Sequence, residues 1–144
     1  MDLEKLQGYY FEDLEVGMSD EFGKTITDAD IAAFAGVSGD TNPVHLRDDY
    51  AATTMFKKRI AHGVLGASLI SAVIGTKIPG PGCIYVSQTL KFKAPVFVGD
   101  TVVATATITK MIPEKKFIEM ETIASVNGKP VIVGEATIMV PSKG

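Results

Sequence analysis

One stretch of the sequence limits the fold more than any other: residues 63–75, G-V-L-G-A-S-L-I-S-A-V-I-G. On a helix built from this stretch, apolar side chains would fall on every side. A helix of that kind is stable only when protein surrounds it. The stretch falls short of the roughly 18 apolar residues expected of a membrane-spanning helix. We therefore expect a helix over residues 63–75, buried at the centre of the fold.

The rest of the second half has the pattern of strands. Apolar and polar residues alternate, as they do in strands with one face on a core, over residues 84–93, 102–109 and 118–126. Asn127-Gly128 is typical of a tight hairpin turn, and a last strand should follow over about residues 130–140. A further strand, near residues 21–26, could join this antiparallel sheet. The order of elements predicts an α+β fold, with a curved antiparallel sheet wrapped around the central helix.

Local signals predict two helices before the central one. Thr27 and Asp30 have the spacing of a capping box, and apolar residues follow at helical spacing. Gly36 and Gly39 are expected to end this first helix. A second, short helix is expected over about residues 48–55.

Length and composition exclude several classes of protein. The 144 residues predict one domain, residues 1–144. A net charge of −3 gives no basic field for nucleic acid. One cysteine, Cys83, allows no internal disulfide, and with two histidines it cannot build a usual zinc site. The first residues lack the features of a signal peptide, so we expect a cytoplasmic protein that is not bound to a membrane.

Asp40 and His45 are the first candidates for chemistry. They lie five positions apart, with Asn42-Pro43 between them. Such a turn could bring both side chains to one water molecule, and histidine is the natural proton carrier near neutral pH. On spacing alone the plainer interpretation is favoured, in which Asp40 caps the turn and His45 is a surface residue.

The start of the central helix is the second candidate. A helix that begins at Gly63 presents unpaired backbone N–H groups and the positive end of its dipole. These groups could polarise a thioester carbonyl. The plainer alternative is an ordinary helix start with His62 packed against it. Nearby, Arg59 could neutralise the phosphates of a ligand.

Three strings of residues resemble the R-specific enoyl-CoA hydratases of the MaoC-like group. They are F-A-G-V-S-G-D-T-N-P-V-H-L at 34–46, R-I-A-H-G-V-L-G-A-S-L-I-S at 59–71 and L-K-F-K-A-P-V-F-V-G-D at 90–100. The resemblance extends from about Tyr9 to Val140. It implies a single hot-dog fold, a homodimer or a dimer of dimers, and no cofactor or metal. The reaction implied is reversible hydration of a trans-2-enoyl-CoA to the (R)-3-hydroxyacyl-CoA.

The resemblance also assigns roles to residues. Asp40 and His45 fall on the family's catalytic pair, and Gly63 falls where a backbone N–H meets the thioester carbonyl. Ser71 falls on a serine that supports the aspartate in some members. As residues that contact or shape the substrate site, we expect Asn42, His62, Arg59 and Leu65.

Three other functions are compatible with the same residues. The fold and the Asp/His pair also serve dehydration of 3-hydroxyacyl groups on a carrier protein. Thioester hydrolysis occurs on this fold as well, although the S-G-D-x-N-P-x-H string argues against it. The third alternative is a dimeric module that binds acyl-CoA without turning it over.

Overall fold

Most of the helices precede the main part of the sheet. The computed structural model describes residues 1–144. The α-helices are α1 (Asp28–Ser38), α2 (Pro43–Leu46), α3 (Asp48–Ala52) and α4 (Gly63–Thr76), and single 3₁₀ turns cover Leu3–Leu6 and Phe11–Asp13. The central helix is therefore confirmed. Helix α2 was not predicted, and α3 is shorter than expected because the hydroxyls of Thr53 and Thr54 donate to carbonyls of its last residues.

Six strands form one antiparallel sheet. They are β1 (Ser19–Thr25), β2 (Ile84–Gln88), β3 (Lys91–Phe92), β4 (Thr101–Ile112), β5 (Phe117–Val126) and β6 (Lys129–Met139). The order across the sheet is β1-β4-β5-β6-β2, and β3 also pairs with β6. The early strand joins at the edge beside β4, as expected. Asn127 and Gly128 have positive φ angles of 51° and 78°, which confirms the tight hairpin between β5 and β6.

The ends of α1 explain the position of the loop that follows it. Thr27 Oγ1 accepts from the Asp30 N–H at 3.1 Å, and an Asp30 carboxylate oxygen accepts from the Thr27 N–H at 2.9 Å, so the capping box is confirmed. A hydrogen bond from Lys24 does most to lower the pKa of Asp30 to about 2. Gly39 ends the helix in the left-handed conformation, at φ 81°. The prediction that Gly36 also ends it is wrong, because Gly36 lies inside the helix.

Helix α4 is buried on one side only. Leu69, Ile70, Val73 and Ile74 are buried, and the helix packs against β1, β4 and β5. The opposite side is exposed, with Val64 at 60% and the serines of the helix open to solvent. The expectation of burial all round is therefore wrong for the single chain. The sheet curves around one side of α4, and no element of the same chain covers the other.

The concave face of the sheet provides the rest of the core. The inward positions of β4 and β5 are fully or almost fully buried, as the alternation predicted; they are Val102, Ala104, Ala106, Ile108, Ile118, Met120 and Ala124. A helix resting in a curved antiparallel sheet is the hot-dog arrangement. None of the helices has the length and hydrophobicity needed to span a membrane.

Two features of the sheet matter later. The edge strand β2 pairs only with β6 and leaves large apolar side chains exposed, with Ile84 at 53% and Val86 at 48%. Between β2 and β3 the chain crosses closely over β6, where the Thr89 N–H donates to the Glu135 carbonyl at 2.8 Å. A Cβ atom on Gly134 would lie 1.8 Å from the Thr89 carbonyl oxygen, so this crossing requires glycine.

Candidate active site

Asp40 lies in the turn that follows the left-handed Gly39. Its backbone N–H donates to Ser38 Oγ at 3.1 Å, and one of its carboxylate oxygens accepts from the Asn42 N–H at 3.2 Å. The side chain is exposed to solvent. These local hydrogen bonds fix the turn and leave the carboxylate able to accept further hydrogen bonds from a ligand or water.

His45 is held by the segment that leads into α4. It lies in α2, which Asn42 caps by accepting from the Val44 N–H at 3.1 Å, and it is only 8% exposed. His45 Nδ1 lies 2.8 Å from the carbonyl oxygen of Ile60. Because a carbonyl can only accept, Nδ1 carries the hydrogen, and the neutral ring has its lone pair on Nε2. His45 is therefore prepared to accept a proton or a hydrogen bond at Nε2.

His62 packs against both of these residues. Its Nε2 lies 2.9 Å from the Asp40 carbonyl oxygen, and its ring stacks on the His45 ring with centroids 3.9 Å apart. One side-chain nitrogen or oxygen atom from each of Asp40, His45 and His62 lies within 4.8 Å of the other two. The fold thus brings the Asp/His pair together, beside the start of α4.

The first residue of α4, Gly63, faces a pocket of about 570 Å³. The N–H groups of Leu65 and Gly66 donate to the His62 carbonyl, whereas those of Gly63 and Val64 have no acceptor within the helix. The pocket is mostly apolar, and His62 and Gly63 belong to its lining together with Phe56, Ile60, Phe92 and Ile132. Asp40 and His45 lie outside that lining. The pocket can hold an apolar chain next to free N–H donors at the positive end of a helix.

The same three side chains are also the group that could hold a metal ion. His62 Nε2 is hydrogen-bonded to the Asp40 carbonyl, and its Nδ1 is buried without a partner. Each of the three residues nevertheless offers one ligand atom within 4.8 Å of the others. The expectation that the reaction needs neither metal nor cofactor stays a prediction.

Arg59, Leu65 and Ser71 were also predicted to belong to the site, and these predictions stay untested. Arg59 forms ion pairs with Asp28 at 2.8 Å and Asp48 at 2.9 Å, so it ties α1 to α3 and has little charge left for a phosphate. Leu65 is half-buried against the core and is not part of the pocket lining. Ser71 lies about 12 Å along α4 from Gly63, on the exposed side, and makes no hydrogen bond to Asp40 in this chain.

Three contributions to the site escaped the sequence analysis. The Ile60 carbonyl fixes the tautomer of His45, Phe34 packs on the His62 ring with centroids 4.8 Å apart, and Phe92 covers Gly63. A Cβ on Gly63 would lie 2.7 Å from a ring carbon of Phe92. A backbone carbonyl leaves no signal in a sequence, and alternation along a strand does not tell which ring reaches a distant glycine.

Comparison with known proteins agrees with this geometry. The family model described as MaoC like domain matches residues 14–129. The chain is 60% identical over 136 residues to the (R)-specific enoyl-CoA hydratase of Rhodospirillum rubrum, covering 94% of each chain. It is 47% identical over 141 residues to the 3-hydroxybutyryl-CoA dehydratase of Methylorubrum extorquens, covering 98% of this chain and 90% of that one.

A solved structure gives the same result for the fold. The unliganded R-hydratase PhaJ1 of Pseudomonas aeruginosa superposes with a TM-score of 0.90 at 47% identity, covering 96% of this chain and 89% of that one. The fold and these relatives therefore identify a hydratase or dehydratase of the hot-dog class. The chain belongs to the family of proteins with a MaoC-like domain.

Proposed function

We propose that this protein is an (R)-specific enoyl-CoA hydratase, which reversibly adds water to a trans-2-enoyl-CoA and forms the (R)-3-hydroxyacyl-CoA. One observation carries the proposal: Asp40 and His45 converge within 4.8 Å beside the unpaired N–H groups at the start of α4. The relatives named above act on enoyl-CoA and 3-hydroxybutyryl-CoA, which supports a CoA thioester as the substrate.

The site chemistry follows from the acceptors and donors it offers. The N–H of Gly63 donates a hydrogen bond to the thioester oxygen and stabilises the negative charge that develops there, which makes C3 of the enoyl group electrophilic. A water molecule that donates one hydrogen to Asp40 and the other to His45 Nε2 turns its oxygen lone pairs toward C3. As the oxygen bonds to C3, one O–H bond breaks and its proton passes to the Asp40 carboxylate. A proton then passes through the Asp40–His45 pair to C2, and the product leaves both residues as they began.

The first experiment is an absorbance assay with crotonyl-CoA. We expect rapid loss of the enoyl-thioester ultraviolet band and an (R) product. His45→Gln should lower turnover about 10²–10⁴-fold, because the glutamine amide cannot take up and release a proton as the imidazole does. Loss of the band only when the acyl group is on a carrier protein would favour the carrier-protein dehydratase. Release of free thiol from a saturated acyl-CoA would favour thioester hydrolysis.

We also propose that the protein works as a homodimer. Support comes from the exposed apolar residues of the edge strand β2 and from the uncovered side of α4, where Val64 is 60% exposed. An exposed strand edge offers unpaired backbone groups to a second chain, and exposed apolar patches mark protein–protein contacts among other sites. Sedimentation equilibrium should therefore give twice the chain mass of 15.3 kDa or a multiple of it. A mass of 15.3 kDa at micromolar concentration would contradict the proposal.

A cytoplasmic location is part of the same proposal. The one cysteine, Cys83, is a free thiol, and free thiols persist in a reducing compartment.

A further inference from the structure

His62 occupies the junction between the acid–base pair and the start of α4. It comes directly before Gly63 and is only 2% exposed. The chain on its N-terminal side is fixed, since the Ala61 N–H donates to the Val96 carbonyl at 2.7 Å and the Ile60 N–H donates to the Val44 carbonyl at 3.3 Å. Backbone hydrogen bonds therefore hold the two residues that precede His62 in place.

Both nitrogens of the His62 ring are out of reach of a substrate. Nε2 donates its hydrogen to the Asp40 carbonyl at 2.9 Å, since a carbonyl can only accept. The neutral ring then has its lone pair on Nδ1, which is buried and has no partner. His62 therefore has no accessible nitrogen with which to take a proton from water or to bind a thioester.

Two aromatic rings pack against the ring of His62. The His45 ring stacks on it with an interplanar angle of 28°, and the Phe34 ring packs against it at 55°. The planar His62 side chain makes both the stack on His45 and the hydrogen bond to Asp40. Stacking fixes the direction of the His45 ring, and the hydrogen bond fixes the backbone of Asp40.

We propose that His62 is a positioning residue, which holds Asp40 and His45 in one fixed arrangement with the Gly63 N–H. The proposal rests on the proposed hydratase function and changes the expected role of His62, because the residue acts through Asp40 and His45 and offers the substrate no accessible ring nitrogen. Small displacements of reacting groups are costly: about 1 Å can reduce turnover about 100-fold. A loss of His62 should therefore appear in kcat and leave KM nearly unchanged.

Two variants separate the parts of this role. His62→Phe keeps a ring for stacking but loses the donor, and His62→Gln places an amide N–H near the position of Nε2. With crotonyl-CoA, we expect His62→Phe to lower kcat about 10–100-fold with KM within about threefold. His62→Gln should recover part of this loss. Thermal unfolding of both variants controls for folding.

A double variant tests whether His62 acts through Asp40. In the Asp40→Asn background, the change His62→Phe should have much less effect on kcat than in the wild type, because residues that act as a unit are not additive. If His62 had only a structural role, His62→Phe would lower kcat by the same factor in the wild type and in the Asp40→Asn variant. That result would overturn the proposal, as would a raised KM at unchanged kcat or wild-type kinetics in His62→Phe.

Imidazole NMR spectra give a readout that does not depend on turnover. The chain has two histidines, so His62→Phe assigns both sets of signals. We expect a slowly exchanging Nε2–H for His62, and a shift of the His45 ring signals when the stacked ring changes. If the wild type hydrates no enoyl thioester, the proposed function fails, and these spectra still decide the positioning role: a His62 hydrogen on Nδ1, or one in fast exchange, overturns it.

Discussion

Asp40→Asn should lower kcat for crotonyl-CoA hydration by about 10²–10⁴-fold. Asparagine has nearly the same shape, but its amide takes up no proton while water adds to C3. The fold should survive, because the side chain is exposed and the amide oxygen can still accept from the Asn42 N–H, as the carboxylate does at 3.2 Å. The measurements are steady-state kinetics and the thermal unfolding midpoint of the same preparation.

Asp49→Asn is a matched control for this experiment. Asp49 is an exposed carboxylate that pairs with Arg47 at 2.6 Å and does not belong to the cluster of Asp40, His45 and His62. An exposed ion pair contributes about 0–1 kcal/mol, so both activity and stability should stay close to those of the wild type. Near-native turnover by Asp40→Asn would remove Asp40 from the mechanism. An equal loss of kcat in Asp40→Asn and Asp49→Asn would indicate that removing one negative charge lowers activity wherever the carboxylate lies.

Gly134→Ala should be the most destabilising single methyl addition to the sheet. The new Cβ would lie 1.8 Å from the Thr89 carbonyl oxygen. That oxygen belongs to the backbone at the crossing over β6, so it cannot move without straining the hydrogen bond from the Thr89 N–H to the Glu135 carbonyl. We expect the free energy of unfolding in urea to fall by about 2–4 kcal/mol.

Gly36→Ala provides the comparison for this change. Gly36 lies inside α1, and a Cβ there would meet no atom within 4 Å. Because alanine favours a helix interior over glycine by about 0.5–1 kcal/mol, this variant should be slightly more stable than the wild type. An unchanged urea midpoint for Gly134→Ala would show that the crossing over β6 can relax.

The sequence predicts well those features that depend on neighbouring residues. The capping box at Thr27 and Asp30, the hairpin at Asn127-Gly128 and the extent of α4 all follow from local patterns, and the structure confirms them. The prediction that the helix also ends at Gly36 was wrong, because of these two glycines only Gly39 adopts the left-handed conformation that stops the helix.

Features that depend on distant contacts could not be predicted in this way. The tautomer of His45 depends on the Ile60 carbonyl, and Gly134 is required only because Thr89 crosses it. The exposed side of α4 shows the same limit: its apolar composition indicates that it must be covered, but the pattern cannot tell whether the same chain or a second one covers it.

The groups proposed for the chemistry lie within one continuous stretch of the chain. Asp40, His45, His62 and Gly63 belong to residues 40–63, whereas five of the six strands come after α4. Scaffold and chemistry can therefore change separately in evolution. A transplant of this one stretch, with its supporting residue Phe34, should suffice to move the acid–base site onto a related hot-dog sheet, and mutations in the sheet can reshape the pocket without altering proton transfer.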